Sequence, residues 1–142
     1  MTTTDIREKV KEIDAIIRNG LWFDFHVYKY DGRNLTIAGS IDLCYYHKLE
    51  IIFENVFFFH GFFFEWHSDT SQPVFVLPDN DAELNFQFEI EQGYTLFMFK
   101  AEDYKNDVIV VAEKISFNTD TVFYYLREDL KENERIADFV KR

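Results

Sequence analysis

"LEIIFENVFFFHGFFFEW", residues 49–66, is the stretch on which the reading of the whole chain turns. Its first six residues alternate: Leu49, Ile51 and Phe53 point one way, Glu50 and Glu54 the other. That is the period of a strand with one face in a core. After Asn55 the alternation fails, and residues 56–66 hold six phenylalanines and Trp66, interrupted by His60, Gly61 and Glu65. On a straight strand Phe57, Phe59 and Phe63 share one face, and Phe58, Phe62, Phe64 and Trp66 the other. The strand therefore begins half-buried and becomes buried on both faces. Gly61 marks a bulge or sharp bend, where the missing Cβ eases the distortion. We read the stretch as the seam between a curved sheet and its helices. Each buried ring stabilises by roughly 1.5–3 kcal/mol, which explains the rings without any ligand.

The segments on either side fit that frame. In "TDIREKVKEIDAIIRNG", Ile6, Val10, Ile13 and Ile17 form one helical stripe. Asp5 and Glu8 have capping-box spacing, with Thr4 an alternative cap, and Asn19-Gly20 supplies a stop. A helix over about 4–19 should lie across a sheet. From residue 21 to 126 the pattern is β. Phe23, Phe25 and Val27 alternate, as do Leu35, Ile37, Ile41 and Leu43. A three-residue loop Tyr30-Asp31-Gly32 would pair Val27 with Leu35 and Phe25 with Ile37. "ELNFQFEIEQGYTLFMFKAED" reads as a second hairpin about Gln92-Gly93, with Phe88 opposite Phe97 and Phe86 opposite Phe99. "DVIVVAEKISF" is apolar on both faces at its start and predicts a central strand. "TVFYYL" reads as the last strand, and a helix over about 128–141 should close the chain. The expected fold is α+β: one domain over 1–142, with a strongly curved antiparallel sheet of about six to eight strands flanked by N- and C-terminal helices.

Charge narrows the partners. Asp and Glu number 26 against 15 Lys and Arg, a formal net charge of −11. Affinity for nucleic acid comes largely from Lys and Arg releasing counterions, so nucleic acid is disfavoured, as is an anionic membrane surface. The balance favours a basic protein partner. With one cysteine, Cys44, no internal disulfide forms. Cys44 beside Tyr45 and Tyr46 reads as a packed thiol. No basic-then-apolar leader and no membrane-length apolar run is seen, so a cytoplasmic protein is expected.

Motifs of chemistry are scarce. His26, His47, His60 and His67 lack metal-ligand spacing, and phosphate-loop or nucleophile-elbow patterns do not occur. "PDNDAE", residues 78–83, lacks the register of a calcium loop. No cofactor, metal or enzymatic activity is expected. The loop "EWHSDTSQPVFVLPDND", residues 65–81, combines an aromatic anchor with negative charge. Trp66, His67, Asp69, Asp79 and Asp81 are the candidate partner-binding residues. The alternative is a carrier of a small apolar ligand, with Phe57, Phe59, Phe62, Phe64 and Trp66 lining a cavity in the curved sheet.

Phe23 to Val27, Leu35 to Ile37, and Leu49, Ile51, Phe53 and Val56 follow a pattern of aromatic-led strand, turn, apolar strand and an "L-x-I-x-F-x-x-V"-like strand. Over about a third of the chain this resembles a small β-rich family of immunity proteins from bacterial polymorphic toxin systems. That family has a histidine–acid pair near the first strand, whose nearest counterpart here, Asp24 and His26, runs in the inverse order. The resemblance implies a cytoplasmic protein that binds and neutralises a basic cognate toxin.

Overall fold

A computed structural model describes residues 1–141 of the chain. Its centre is the strand read first. β4 (Leu49–His60) lies between β2 (Leu35–Ser40) and β8 (Val108–Asn118) in a strongly curled, seven-stranded antiparallel half-barrel of order β5-β1-β2-β4-β8-β7-β6. The other members are β1 (Trp22–Tyr30), β5 (Trp66–Asp69), β6 (Phe75–Val76) and β7 (Thr95–Phe99). A second sheet, of order β10-β9-β3, joins β3 (Tyr46–His47), β9 (Thr121–Phe123) and β10 (Glu134–Ile136).

Helix α1 (Thr3–Arg18) lies on the concave face and buries Ile6, Val10, Ile13 and Ile17 against Phe25, Ile37, Ile51, Phe53, Phe97 and Phe99. The expected stripe is the observed one. Its capping box is different: Thr2 is the N-cap and Asp5 the third helical residue, each side chain bonding the other's backbone. Asp14, further along α1, accepts the backbone N–H groups of Val74 and Phe75, so the helix also ties down the loop leading into β6.

In β4 the register shifts between Val56 and Phe58, and Asn55 adopts φ 53°. This bulge is where the alternation failed. Phe59 still packs into the inner core, while Phe58 turns outward to a separate cluster on the convex side. Gly61 follows the strand end, where a Cβ would stand 2.8 Å from Val108 and 2.9 Å from Phe59. The first hairpin keeps apolar residues opposite apolar ones but slides by two: Val27 faces Ile37 and Phe25 faces Gly39. The loop runs longer than expected because Asp31 ties its own turn, its Oδ1 accepting from Arg33 and Asn34 N–H.

Two expected elements are replaced. Residues 81–87 form helix α2 (Asp81–Gln87) instead of a strand, so the hairpin about Gln92-Gly93 does not exist. The sheet positions beside β7 belong to β6 and β8. Leu84 and Phe88, four apart, together with Ile90, pack on the convex-side cluster of Leu96, Met98, Ile109 and Val111, while Phe86 is 88% exposed. The helical period wins over the alternating one. At the C-terminus there is no helix over 128–141. Asp129 and Asn133 take positive φ, and β10 instead adds to β9 in parallel. The second helix is therefore in mid-chain, and the C-terminal segment is an extended arm on the outside of the half-barrel.

Candidate functional site

Alternation along β1 sends Phe23 and Phe25 into the core and Trp22, Asp24, His26 and Tyr28 to the outer face. The pairing of β1 with β5 places Phe25 opposite Trp66 and Asp24 opposite His67. One register thus fixes two fates. Trp66 is fully buried, its ring centroid 5.6 Å from that of Phe25 and 5.5 Å from that of Phe99. It is a core residue and offers a partner nothing. His67 faces outward into a set of carboxylates.

His67 Nδ1 is 2.5 Å from Asp24 Oδ1, and Nε2 is 3.3 Å from Glu102 Oε2. A carboxylate only accepts, so Nδ1 carries a proton toward Asp24, and the Glu102 charge beside Nε2 favours a second. The His67 pKa lies above its ordinary value, chiefly through the Asp24 hydrogen bond, with the charges of Asp24, Glu102 and Asp103 adding and burial opposing. The β5 backbone is engaged from the same loop. His67 N–H donates to Asp103 Oδ1 at 3.1 Å, and Glu102 N–H donates to the His67 carbonyl at 2.8 Å. This loop caps an edge strand that could otherwise pair with another chain.

Glu65, one residue before β5, has its carboxyl pKa raised by partial burial and by the negative charges of Asp24, Asp42 and Asp103. Aromatic side chains lie in the same segments as these acids. Tyr104 donates to the Glu65 carbonyl at 3.4 Å and stacks on Phe62 with ring centroids 3.8 Å apart. Trp22 donates its indole N–H to the Ile41 carbonyl at 2.8 Å and is 42% exposed. Phe63 and Phe64 are 74% and 79% exposed. The end of the outer face around Asp24 and His67 therefore joins crowded negative charge to uncovered rings.

The other end of that face is closed. His26 Nε2 is 2.9 Å from the Tyr124 hydroxyl, which is 2.6 Å from His47 Nδ1; His47 Nε2 is 2.7 Å from Glu50 Oε2. Glu50 Oε1 accepts from Asn118 at 3.1 Å and pairs with Arg135 of β10, which also reaches Asp120. Glu50 was correctly read as outward-facing, yet it is buried because the second sheet covers it. Since its carboxylate only accepts, His47 Nε2 holds a proton, and the Tyr124 hydroxyl bridges His47 Nδ1 and His26 Nε2. Burial alone would raise the Glu50 pKa, but hydrogen bonds from His47 and Asn118 and the Arg135 charge hold it at about 2. Burial and the neighbouring His47 push His26 down to about 4, and burial pushes Tyr124 upward. This chain latches the second sheet onto the half-barrel.

The remaining sequence candidates scatter. Asp69 pins its own turn, accepting from Ser71 N–H at 2.9 Å and Ser71 Oγ at 2.7 Å. Asp79 and Asp81 are exposed beyond β6, on the wall of a cleft of about 530 Å³ shared with Arg7, Asn85 and Tyr94. Of the five proposed cavity residues, Trp66 is buried in the inner core, Phe59 and Phe62 pack against it with Phe62 also stacked on Tyr104, Phe57 stacks on Tyr94, and Phe64 faces solvent. Cys44 is exposed rather than packed, and hydrogen bonding to Asp42 raises its pKa. Asp24 and His26, adjacent in the sequence pattern, separate: Asp24 serves His67 and His26 serves Tyr124.

Sequence reasoning missed Asp24, Glu65, Glu102 and Asp103 as one group. The outward alternation of Trp22, Asp24, His26 and Tyr28 was the available signal. Nothing local linked it to residues 102–104. Among the described residues no group of three or more His, Cys, Asp or Glu is arranged to hold a metal ion, and no helix is long and apolar enough to cross a membrane. Comparison with protein-family models, with curated proteins and with solved structures finds no match.

Proposed function

We propose that this protein is a non-enzymatic binding protein whose acidic and aromatic outer face, around Asp24, Glu65, His67 and Asp103, docks a basic protein, in the manner of an immunity-type inhibitor of a basic toxin. The observation that carries the reading is the coincidence of unfavourable negative charge at Glu65 with exposed Phe63, Phe64 and Trp22. A cationic partner relieves the first and covers the second. Aromatic anchors inside a charged surround are the usual makeup of strong interface sites. The net charge of −11 adds long-range attraction, speeding encounter with a basic surface at low ionic strength.

The test is co-purification from the native cell at low salt, with mass spectrometry of what is retained. The proposal expects a stoichiometric basic protein that dissociates as salt rises and that is lost when Glu65→Gln and Asp103→Asn are combined. Retention of a partner indifferent to salt and to these changes would overturn it.

A further inference from the structure

On the reading that this face docks a basic protein, we infer that His67 is the site's own cation, a stand-in for the partner's basic side chain. The incoming guanidinium or ammonium group displaces the imidazolium from Asp24 and Glu102, so docking tightens as pH rises and His67 gives up its proton.

The geometry carries this. His67 is the basic side chain held directly by the Asp24 and Glu102 carboxylates, each on a different element. Its side chain is 39% exposed, so another cation can reach the same oxygens without opening the core. The exposed Phe63 and Phe64 and the Phe62–Tyr104 stack lie in the adjoining segments. They offer aromatic surface on which a guanidinium's flat face can stack while its edge reaches carboxylates. A lysine can replace the charge but not the stacking, so arginine is the favoured occupant.

The groups facing His67 are Asp24 from β1, Glu102 and Asp103 from the loop after β7, and Asp69 from its own segment, while Glu65, two residues earlier, feels the charges of Asp24 and Asp103. All are acids, so deprotonating His67 leaves the patch more negative, with no basic group among the described residues adding to its field. Glu65, whose carboxyl pKa is raised, adds a slope of the same sign at the acid end. Linkage requires the converse: a bound cation lowers the His67 pKa, because it takes the oxygens that favour the imidazolium.

The experiment uses a fluorescent peptide of alternating arginine and leucine, and its lysine counterpart. Anisotropy is read from about pH 5.5 to about pH 8.5 at low salt, the range in which histidine titrates. Against the unaltered protein stand His67→Gln, a polar ring-sized replacement that removes the titration, and Glu65→Gln, which removes the second slope. The expected result is an affinity rising roughly tenfold across the range, the equivalent of one pKa unit of coupling, with the arginine peptide tighter than the lysine one. His67→Gln should bind tightly at all pH values, Glu65→Gln should keep the slope above neutrality, and the His67 ring proton resonance should titrate at lower pH once peptide is bound. Peptide binding with no slope, or a slope that survives His67→Gln, would overturn the displacement while leaving the docking face intact. Absence of binding by either peptide would overturn the docking face and the displacement with it.

Discussion

Nε2 of His26, on the first strand of the half-barrel, lies 2.9 Å from the hydroxyl of Tyr124, on the segment that covers it. Through that oxygen β1 is joined to His47 of the second sheet, which in turn bonds Glu50 of β4, the partner of Arg135 in the C-terminal arm. Tyr124→Phe removes the hydroxyl that bridges the two imidazoles. It should cost about 1–3 kcal/mol, the penalty for leaving buried polar groups without partners. Urea unfolding measures the loss, and amide exchange should place it in residues 121–137 ahead of β4 and β8.

Arg135 should depend on Glu50 in the same way. Glu50→Ala leaves the guanidinium and His47 without their shared acceptor, at a cost of about 2 kcal/mol, since Arg135 remains partly solvated. Arg135→Ala should cost less because Glu50 keeps His47 and Asn118. A double-mutant cycle between the two positions should show clear coupling.

Acid should release the latch before it unfolds the half-barrel. The folded His26 pKa, about 4, lies below its ordinary value of 6.5, so folding favours the neutral ring. Its contribution is complete above the ordinary value and is lost as pH falls toward the folded one. Glu50, held at about 2 against an ordinary 4.5, adds a second loss lower down. Both have the same sign, so stability should fall steadily from mildly acidic pH. Exchange of residues 121–137 should quicken first, and His26→Gln should flatten the upper part of the profile.

Gly39 is fixed by its neighbours. A Cβ there would stand 2.4 Å from the Phe23 ring and 2.9 Å from the Phe25 ring. Gly39→Ala should destabilise by about 3 kcal/mol through displaced aromatic packing, whereas Gly32→Asn, in an open turn at positive φ, should cost far less. Thermal unfolding of the two variants separates them.

Much of this architecture was legible because its causes are local. The Ile6, Val10, Ile13 and Ile17 stripe named the face of α1, and the failure of alternation after Asn55 marked the bulge in β4. The two-faced Val108–Val111 run named a central strand. What stayed hidden rests on contacts between distant residues. Glu50 looked like a solvated strand position because its cover, Arg135, is 85 residues away. Residues 84–90 show both a period of two and a spacing of four. Only the sheet, which gives both sides of β7 to other strands, decides between them. The docking face was half visible: His67 was singled out from its loop, but its acceptors come from β1 and residue 102. Trp66, one residue earlier, stood both as a partner-binding candidate and as a cavity-wall candidate in a stretch expected to be buried, because its direction depends on a register the sequence does not display.

The most direct measurement compares two pairs of charge removals of equal size on binding of the native basic partner. One pair, Glu65→Gln with Asp103→Asn, lies in the proposed face; the other, Asp79→Asn with Asp81→Asn, lies beyond β6. Each takes away two negative charges, so a response to net charge alone would be the same for both. The first pair should weaken binding by roughly tenfold or more and reduce its salt dependence, while the second should leave both nearly unchanged. Equal effects from the two pairs, or a larger effect from the second, would contradict docking at this face.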